Sequence, residues 1–429
     1  MAVYVICYLA SYILARFGHY LISGIVLLAA AGWLYMEDYR KYKNLIHLRG
    51  LFSLFWVGGE GLACMKLSHL QTDWSAMTWF CLFLAYFGFW LVFEVLVRIY
   101  GSGYDGYGRW RSFSGDPKPV FALICILTTI SFVCFLAEAM VLGYVPLLLR
   151  GVPHAYSEFH LTGIHYFTVS CVLVPSLTVL YIHMRNGRGS EKMLLAALIM
   201  TGIALLIPIL CVSRFQLVFA VLLAAFTYIS LQKMFHPGWL LALFVVMIPF
   251  YLILTVARSH NIEYLNGIFE MKRASTPIFI SQPYIYIANN YDNFNCLVTS
   301  LPGHSFGLKG LFPFFALSGL KFFFPQLVNF PIYVDKTELT TLTLFYDAYY
   351  DFGWIGVLLL SGVLGAIAYI LVVKLREMRN PLGYLLYAQF ASYLMLSFFT
   401  TWFSNTTTWF YLILTGGMAL FYHLRASRW

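Results

Sequence analysis

Residues 352–374 read FGWIGVLLLSGVLGAIAYILVVK, a hydrophobic run in which the terminal Lys374 is the only charged residue. A hydrocarbon core about 30 Å thick is crossed by about 20 apolar residues in a helix, so this run is long enough to span a bilayer. In the whole chain 61% of the residues are hydrophobic and only 10% are charged, whereas about a quarter are charged in soluble domains. The composition therefore predicts an all-α polytopic integral membrane protein.

Further runs of this kind predict about 12 transmembrane helices. The runs comprise residues 2–17, 20–36, 50–68, 75–97, 119–142, 164–184, 193–212, 216–232, 238–257, 352–374, 383–400 and 409–424. They divide the chain into residues 1–257 with the first nine spans, a long connecting region at 258–351, and residues 352–429 with the last three. The first run lacks the charged start and the cleavage site of a signal peptide, so we predict that it is a span.

Basic residues indicate the orientation of the spans. When the predicted spans alternate in direction, most of the 27 lysines and arginines fall in connections on one side. That side is the cytoplasm by the positive-inside rule. We therefore expect both termini in the cytoplasm and residues 258–351 outside.

The region 258–351 is the one long connection between predicted spans, so we expect the functional site there. Its first part is cationic, with Arg258, Lys272, Arg273, Lys309 and Lys321, and its last part is acidic, with Asp335, Glu338, Asp347 and Asp351. This distribution suits a polyanionic ligand held beside a group that accepts a proton. Residues 311–324 are apolar, but a crossing there would place later basic residues outside, so we predict interfacial helical structure.

Three side chains of this region are candidates for a catalytic base, namely Asp347, Glu338 and His304. Asp347 and Asp351 are four residues apart, so on a helix they share one face. Asp351 lies close to the start of the next span, where a carboxylate caps the positive end of the helix dipole. We therefore favour Asp347 over Asp351 for a role in the site.

Tyr286 and Asn290 are candidates for sugar binding. They belong to residues 284–295, a stretch rich in tyrosine and asparagine. Such side chains combine hydrogen-bond donors and acceptors with flat apolar faces, which sugars require. A capped turn explains the same residues equally well.

Two residues outside this region are also candidates. Arg214 lies in the tight connection between the seventh and eighth spans, where its guanidinium either stays hydrated or binds a phosphate through two hydrogen bonds. His165 ends the connection 143–165, whose glycines and prolines indicate a structured outer lip or an interfacial anchor. Glu138 lies near the end of a predicted span, where a cross-helix hydrogen bond or an interfacial position is expected.

Other functional classes find little support in the sequence. The pattern G-x-G-x-x-G at residues 101–106 lacks the strand that a dinucleotide site requires, so we interpret it as a loop. The cysteines lie in hydrophobic runs except Cys296, which argues against a disulfide framework. No pair of cysteines has zinc-ligand spacing, and we predict neither a metal nor a cofactor.

Four features together resemble a known family. They are residues 143–165, the pair Ser213 and Arg214, residues 284–295, and residues 346–353, which read YDAYYDFG. In these features, and in its architecture over most of residues 119–424, the chain resembles the bacterial oligosaccharide repeat-unit polymerases of O-antigen and capsule synthesis, the Wzy type.

This resemblance implies a metal-independent glycosyltransferase at the outer face of the bacterial cytoplasmic membrane. Such an enzyme moves a growing glycan from undecaprenyl diphosphate onto the next lipid-linked repeat unit. The family's outward-facing arginines correspond to Arg214, Arg258 and Arg273 as diphosphate ligands, and His304 is taken for the histidine of related ligases. Tyr346, Tyr286, Asn290 and His165 are then the candidates for sugar binding. The implied partners are the lipid-linked oligosaccharide, the bilayer and a chain-length regulator, without nucleic acid.

Two other classes of membrane protein share some of these features. A transporter or flippase of lipid-linked oligosaccharides also needs cations and aromatic residues, but it usually has charged sites near the midplane and repeated halves. Here the charges gather in one segment, and no internal repeat is found. A sugar-phosphate-dependent glycosyltransferase with an acidic pair in its first outer loop is disfavoured because residues 17–19 contain no carboxylate.

Overall fold

The computed structural model describes residues 1–102, 115–149, 155–187, 190–232, 267–273, 275–375 and 377–426. Within these ranges the regular structure is helical, and the only β pairing is an isolated antiparallel bridge between Ser68 and Met271. The predicted all-α class is confirmed.

The helices are numbered here in chain order. They are α1 (Ala2–Arg16), α2 (Tyr20–Tyr42), α3 (Leu48–Phe52), α4 (Gly58–Cys64), α5 (Ala76–Tyr100), α6 (Lys118–Leu142), α7 (Ala155–Glu158), α8 (Ile164–Val169), α9 (Val174–Arg185), α10 (Glu191–Leu210), α11 (Arg214–Leu231), α12 (Ile278–Ser300), α13 (Phe312–Leu317), α14 (Leu320–Phe323), α15 (Tyr346–Lys374), α16 (Leu382–Met395) and α17 (Thr406–Ala426). A π-helical turn, Ser53–Val57, joins α3 to α4, and a 3₁₀ turn, Ser170–Leu173, joins α8 to α9.

Seven helical stretches of the described chain are long and apolar enough to cross a membrane. They are α2, α5, α6, the continuous stretch Ile164–Arg185, α10, α11 and α15. Each corresponds to one of the predicted hydrophobic runs. The chain is therefore an all-α protein with apolar helices of membrane-spanning length.

Three of the remaining runs give shorter or interrupted helices. Helix α1 has 15 residues and α16 has 14, while the run 50–68 is divided among α3, the π-helical turn and α4. Helix α17 covers the last run, and the run 238–257 lies outside the described residues. The count of about 12 spans stays a prediction.

The chain forms two compact units. The first unit comprises Met1–Tyr107, Asn261–Lys374 and Tyr393–Trp409, and the second comprises Gly108–His260, Leu375–Ser392 and Phe410–Trp429. Both units are assembled from segments distant in sequence. Each is described separately below.

Glycines bring α5 and α15 into close contact in the first unit. A Cβ atom at Gly88 would lie 2.3 Å from Ser361 Oγ, and one at Gly365 would lie 2.4 Å from the Phe89 carbonyl oxygen. Neither distance leaves room for a methyl group. Small residues at these positions therefore set the approach of the two helices, as is common between membrane helices.

Residues 284–295, for which the sequence left a sugar-binding stretch and a capped turn open, form part of helix α12. The whole stretch lies inside this helix of 23 residues, so the capped-turn interpretation is wrong. Its polar side chains are buried, and segments distant in sequence supply their hydrogen-bond partners. Such partners allow a polar sequence to form a buried helix.

Helix α15 begins at Tyr346, upstream of the predicted run 352–374, so Asp347 and Asp351 lie within it. Phe352 and Gly353 interrupt the helical backbone, and Gly353 has a φ of 61°. Only glycine adopts this region at little cost. The kink separates a short polar turn from the apolar remainder of α15.

In the second unit, α6, α8, α9, α10 and α11 pack together. Polar contacts between these helices are sparse in the described residues. One joins Thr178 on α9 to Thr201 on α10 at 2.7 Å. In α17, the Tyr411 hydroxyl donates to the Val169 carbonyl at the end of α8.

Candidate functional site

The polar start of α15 carries a buried ion pair. Lys309 Nζ lies 3.6 Å from Asp347 Oδ1, and the two side chains are 16% and 8% exposed. Asp347 Oδ1 has no hydrogen-bond partner among the described residues, and the side chains of Thr401 and Ser404 lie beside the same carboxylate. Other buried side chains of the described residues also have atoms without a partner, and Asp347 is distinguished from them by the lysine beside it.

Asp351, one turn further along α15, binds a loop of its own chain. Its carboxylate accepts hydrogen bonds from the Ser305 hydroxyl at 2.5 Å, the Lys309 amide at 3.0 Å and the Gly310 amide at 2.7 Å. The loop amides of Ser305 and Phe306 in turn donate to carbonyls of α15. Asp351 therefore fixes the loop that carries Lys309, whereas the sequence predicted that it caps the helix.

Aromatic rings line the site. Lys309 Nζ lies 5.1 Å from the ring centroid of Tyr350, a geometry in which the ring face attracts a cation. His304 Nδ1 is 3.3 Å from the Tyr350 carbonyl oxygen, and its ring also packs against Tyr349 with centroids 6.0 Å apart. His304 thus contacts α15 at Tyr349 and Tyr350 and is exposed.

Tyr346 is buried, and its hydroxyl binds the backbone of Tyr333. Its hydroxyl donates to the Tyr333 carbonyl at 2.8 Å and accepts from the Tyr333 amide at 2.7 Å. Both functions of this hydroxyl are used inside the protein. The described contacts of Tyr346 therefore position residues near 333, and its predicted contact with a sugar is not tested.

An exposed aromatic ridge follows the loop that carries Lys309. We define the aromatic ridge as residues 311–324, which include α13 and α14. Its most exposed large side chains are Leu311, Phe314, Leu320, Phe322, Phe323 and Phe324. Exposed apolar side chains at this density mark a surface that contacts lipid or another apolar partner.

The other predicted residues of the first unit are dispersed. Glu338 is exposed and accepts a hydrogen bond from its neighbour Thr337 at 3.2 Å. Arg273 is exposed in the turn before α12. Asn290 is fully buried, and its polar atoms have partners inside the protein. Its amide donates to the Tyr286 and Phe398 carbonyls, and its oxygen accepts from Thr341.

Two predicted residues belong to the second unit. Arg214 is 8% exposed at the start of α11. His165 Nδ1 lies 3.0 Å from Glu138 Oε1, which also accepts from the Leu161 amide at 2.9 Å. The hydrogen bond expected for Glu138 is thus present, and it ties α6 to the start of α8. The third predicted arginine, Arg258, lies outside the described residues.

Sequence reasoning gave no role to Lys309 or Tyr333. Both lie in the predicted functional region, but their partners on α15 come 13 residues later for Tyr333 and 38 later for Lys309, and no helical spacing indicates the pairing. The cationic character of the region was the one signal for Lys309.

Comparisons with models of protein families, with curated proteins and with solved structures found no match for this chain. The function is therefore inferred from the residues themselves.

Proposed function

We propose that this protein is a glycosyltransferase that moves a glycan from a lipid diphosphate onto a hydroxyl group of a second lipid-linked oligosaccharide. In this proposal the site of the first unit faces the outside of the bacterial cytoplasmic membrane, about 12 helices span the membrane, and both termini are cytoplasmic. One observation carries the proposal, the buried Asp347 oxygen that lacks a hydrogen-bond partner among the described residues and lies 3.6 Å from Lys309.

The Asp347 carboxylate suits a general base. An acceptor hydroxyl that donates to Oδ1 would supply the missing hydrogen bond and place its proton on the path to the carboxylate. Proton transfer to a positioned group contributes about 10²- to 10⁴-fold to rates. Glu338, the second candidate base, is exposed and bound to its neighbour, which makes it the weaker one.

Lys309 suits the diphosphate. Its ammonium has three donors. The ion pair with Asp347 is on one side of the ammonium, and a phosphate oxygen can bind on another. Negative charge grows on the leaving diphosphate, and fixed cations near such charge lower the barrier by several kcal/mol. Lys309 is therefore a proposed diphosphate ligand, and the loop fixed by Asp351 holds it in place.

The aromatic ridge suits the lipid. It follows Lys309 directly in the chain, and large exposed side chains such as Phe322 and Phe323 can insert among acyl chains. A polyprenyl carrier lying on the ridge would bring its diphosphate towards Lys309. This arrangement favours a substrate that enters from the membrane.

A flippase of lipid-linked oligosaccharides is the second candidate. It receives less support, because the ion pair lies at the beginning of a helix of membrane-spanning length, whereas transporters usually bind near the middle of their spans. The two functions differ in what accumulates when the site is destroyed.

A cellular experiment separates them. In cells that produce Asp347→Asn, we expect the long polymer to disappear while single repeat units still reach the outer leaflet. Arg214→Ala and Arg258→Ala should act in the same way if these arginines bind the diphosphate. Loss of outer-leaflet repeat units would favour the flippase, and normal polymer in the Asp347→Asn cells would contradict the proposed role of this carboxylate.

A further inference from the structure

A small cationic pocket lies elsewhere in the first unit. It is lined by Ala15, Arg16, Tyr20, Cys64, Lys66, Asp73, Trp74 and Trp79, from α1, α2, α4, α5 and the connection after α4. None of these residues has a part in the proposed glycan transfer. The pocket brings two basic side chains and three aromatic rings together around one acidic side chain.

Lys66 is the buried cation of this pocket. Only 7% of the residue is exposed, and its Nζ lies 4.5 Å from the ring centroid of Tyr20. It has a φ of 47°, a left-handed conformation that is uncommon for a residue other than glycine. Strained backbone of this kind is concentrated at ligand sites.

The acidic side chain of the pocket, Asp73, accepts hydrogen bonds from Lys66 and Tyr20. Its Oδ1 accepts from Lys66 Nζ at 2.5 Å and from the Tyr20 hydroxyl at 2.7 Å, yet its side chain is 71% exposed. The bond from Lys66, followed by that from Tyr20, holds the pKa of Asp73 below its usual value, and the nearby Arg16 acts in the same direction. Lys66 and Tyr20 therefore both donate to one anionic oxygen, and Lys66 Nζ also donates to the Thr72 carbonyl.

The walls are rigid. The indole of Trp74 donates to Asp292 Oδ1 at 2.8 Å, which fixes its orientation. The connection that bears Asp73 is bound to residues 267–273, since Ser68 Oγ donates to the Phe269 carbonyl and the His69 amide donates to the Glu270 carbonyl. These bonds fix Trp74 and the connection between Lys66 and Asp73.

The cavity has a volume of about 50 Å³. A water molecule needs roughly 10–15 Å³ on this measure, so the cavity holds a few waters or one small oxyanion, but not a sugar ring. A phosphate group fits this volume, and its charge of about −1.5 to −2 is matched by Lys66 and Arg16 once Asp73 no longer occupies the donors.

We propose that this pocket binds a single phosphate group and that the Asp73 carboxylate occupies the donors when phosphate is absent. The phosphate belongs either to a free anion or to the head group of a lipid. In both cases it displaces Asp73, accepts from Lys66 and Tyr20, and is contacted by Arg16 at the rim. This proposal does not depend on the proposed glycan transfer.

Removing the competing carboxylate tests the proposal, because it changes affinity in a direction that a structural ion pair does not predict. Purified full-length protein in a nonionic detergent is titrated with inorganic phosphate and, separately, with short-chain phosphatidic acid or phosphatidylcholine. The shift of the thermal unfolding midpoint gives the apparent affinity. We expect Asp73→Ala to bind phosphate or phosphatidic acid at least about 10-fold more tightly than the wild type.

Variants at the cations complete the design. Lys66→Met should abolish the shift, and Arg16→Gln, at the exposed rim, should weaken binding several-fold even if Lys66→Met does not fold. Glu158→Ala and Lys272→Met are exposed controls and should bind like the wild type. A response to phosphatidic acid alone identifies a lipid head group, and a response to both identifies a phosphate site open to solvent. Asp73→Ala protein that binds no better than the wild type, or that responds equally to phosphatidylcholine, would overturn the proposal.

Discussion

Two polar regions of the first unit differ in how their hydrogen bonds are satisfied. In α12, the amides of Asn290 and Asn293 bind the backbone carbonyls of Phe398, Leu339 and Thr341 at 2.7–2.9 Å. At the start of α15, Asp347 is equally buried, but one of its oxygens lacks a partner among the described residues. Burial alone therefore does not distinguish Asp347 from the asparagines of α12, whereas an unpartnered carboxylate oxygen 3.6 Å from Lys309 does.

The largest expected effect of this difference is on activity at Asp347. Asp347→Asn keeps the size of the side chain but removes the base, so we expect transfer to fall about 10³-fold. The thermal unfolding midpoint should change little, because the lost ion pair is balanced by removal of a buried charge. Initial rates with a lipid-linked substrate measure the loss, and Glu338→Gln is the matched control. Equal losses in both variants would contradict the choice of Asp347.

The next effect is on stability at Asn293. Its amide donates to two carbonyls at 2.8 and 2.9 Å, and its oxygen accepts from the Asp335 amide at 3.1 Å. Asn293→Leu leaves these groups buried without partners, so we expect a loss of about 3 kcal/mol in the free energy of unfolding. Unfolding in mixed detergents measures it, with Thr337→Ala as an exposed control. An unchanged free energy would show that α12 does not depend on this bond network.

A smaller effect is expected at Lys309. Lys309→Gln keeps a hydrogen-bond donor but loses the charge that faces the diphosphate, so we expect the rate to fall about 10²-fold. Lys192→Gln, an exposed substitution in α10, should leave the rate unchanged. Equal rates for all three proteins would place the diphosphate elsewhere.

The smallest expected effect is a pH dependence at Asp292 in α12. Burial raises the pKa of this carboxyl to about 7, although Trp74 and Gln71 donate to it. In the unfolded chain the pKa of an aspartate is about 4. The folded state therefore binds the proton more tightly between these values, and stability falls as pH rises through this window. The slope is at most about 1.4 kcal/mol per pH unit.

Asp292→Asn removes this titration. We expect the midpoint of thermal unfolding to fall with rising pH between about 4 and 7 in the wild type and to be flatter in the variant. The same slope in both proteins would mean that Asp292 stays ionised in the folded state.

Hydrophobic runs predicted the apolar helices well, because membrane burial depends on each segment's own composition. The same criterion missed α12 and the polar first turn of α15. Their polar residues are compensated by groups far along the chain, such as Thr341 for Asn290. Asp347 was predicted as a candidate from its position, but its pairing with Lys309 was not. Asp351 was expected to cap the helix, and only the fold reveals that it binds residues 305–310.

A reconstituted reaction tests the central claim most directly. Purified protein is incubated with a defined lipid-diphosphate-linked repeat unit, without added metal or nucleotide, and the products are separated on a gel. Our proposal predicts a ladder of polymers from the wild type and unreacted repeat unit from folded Asp347→Asn protein. No ladder from folded wild-type protein, or the same ladder from both proteins, would contradict it.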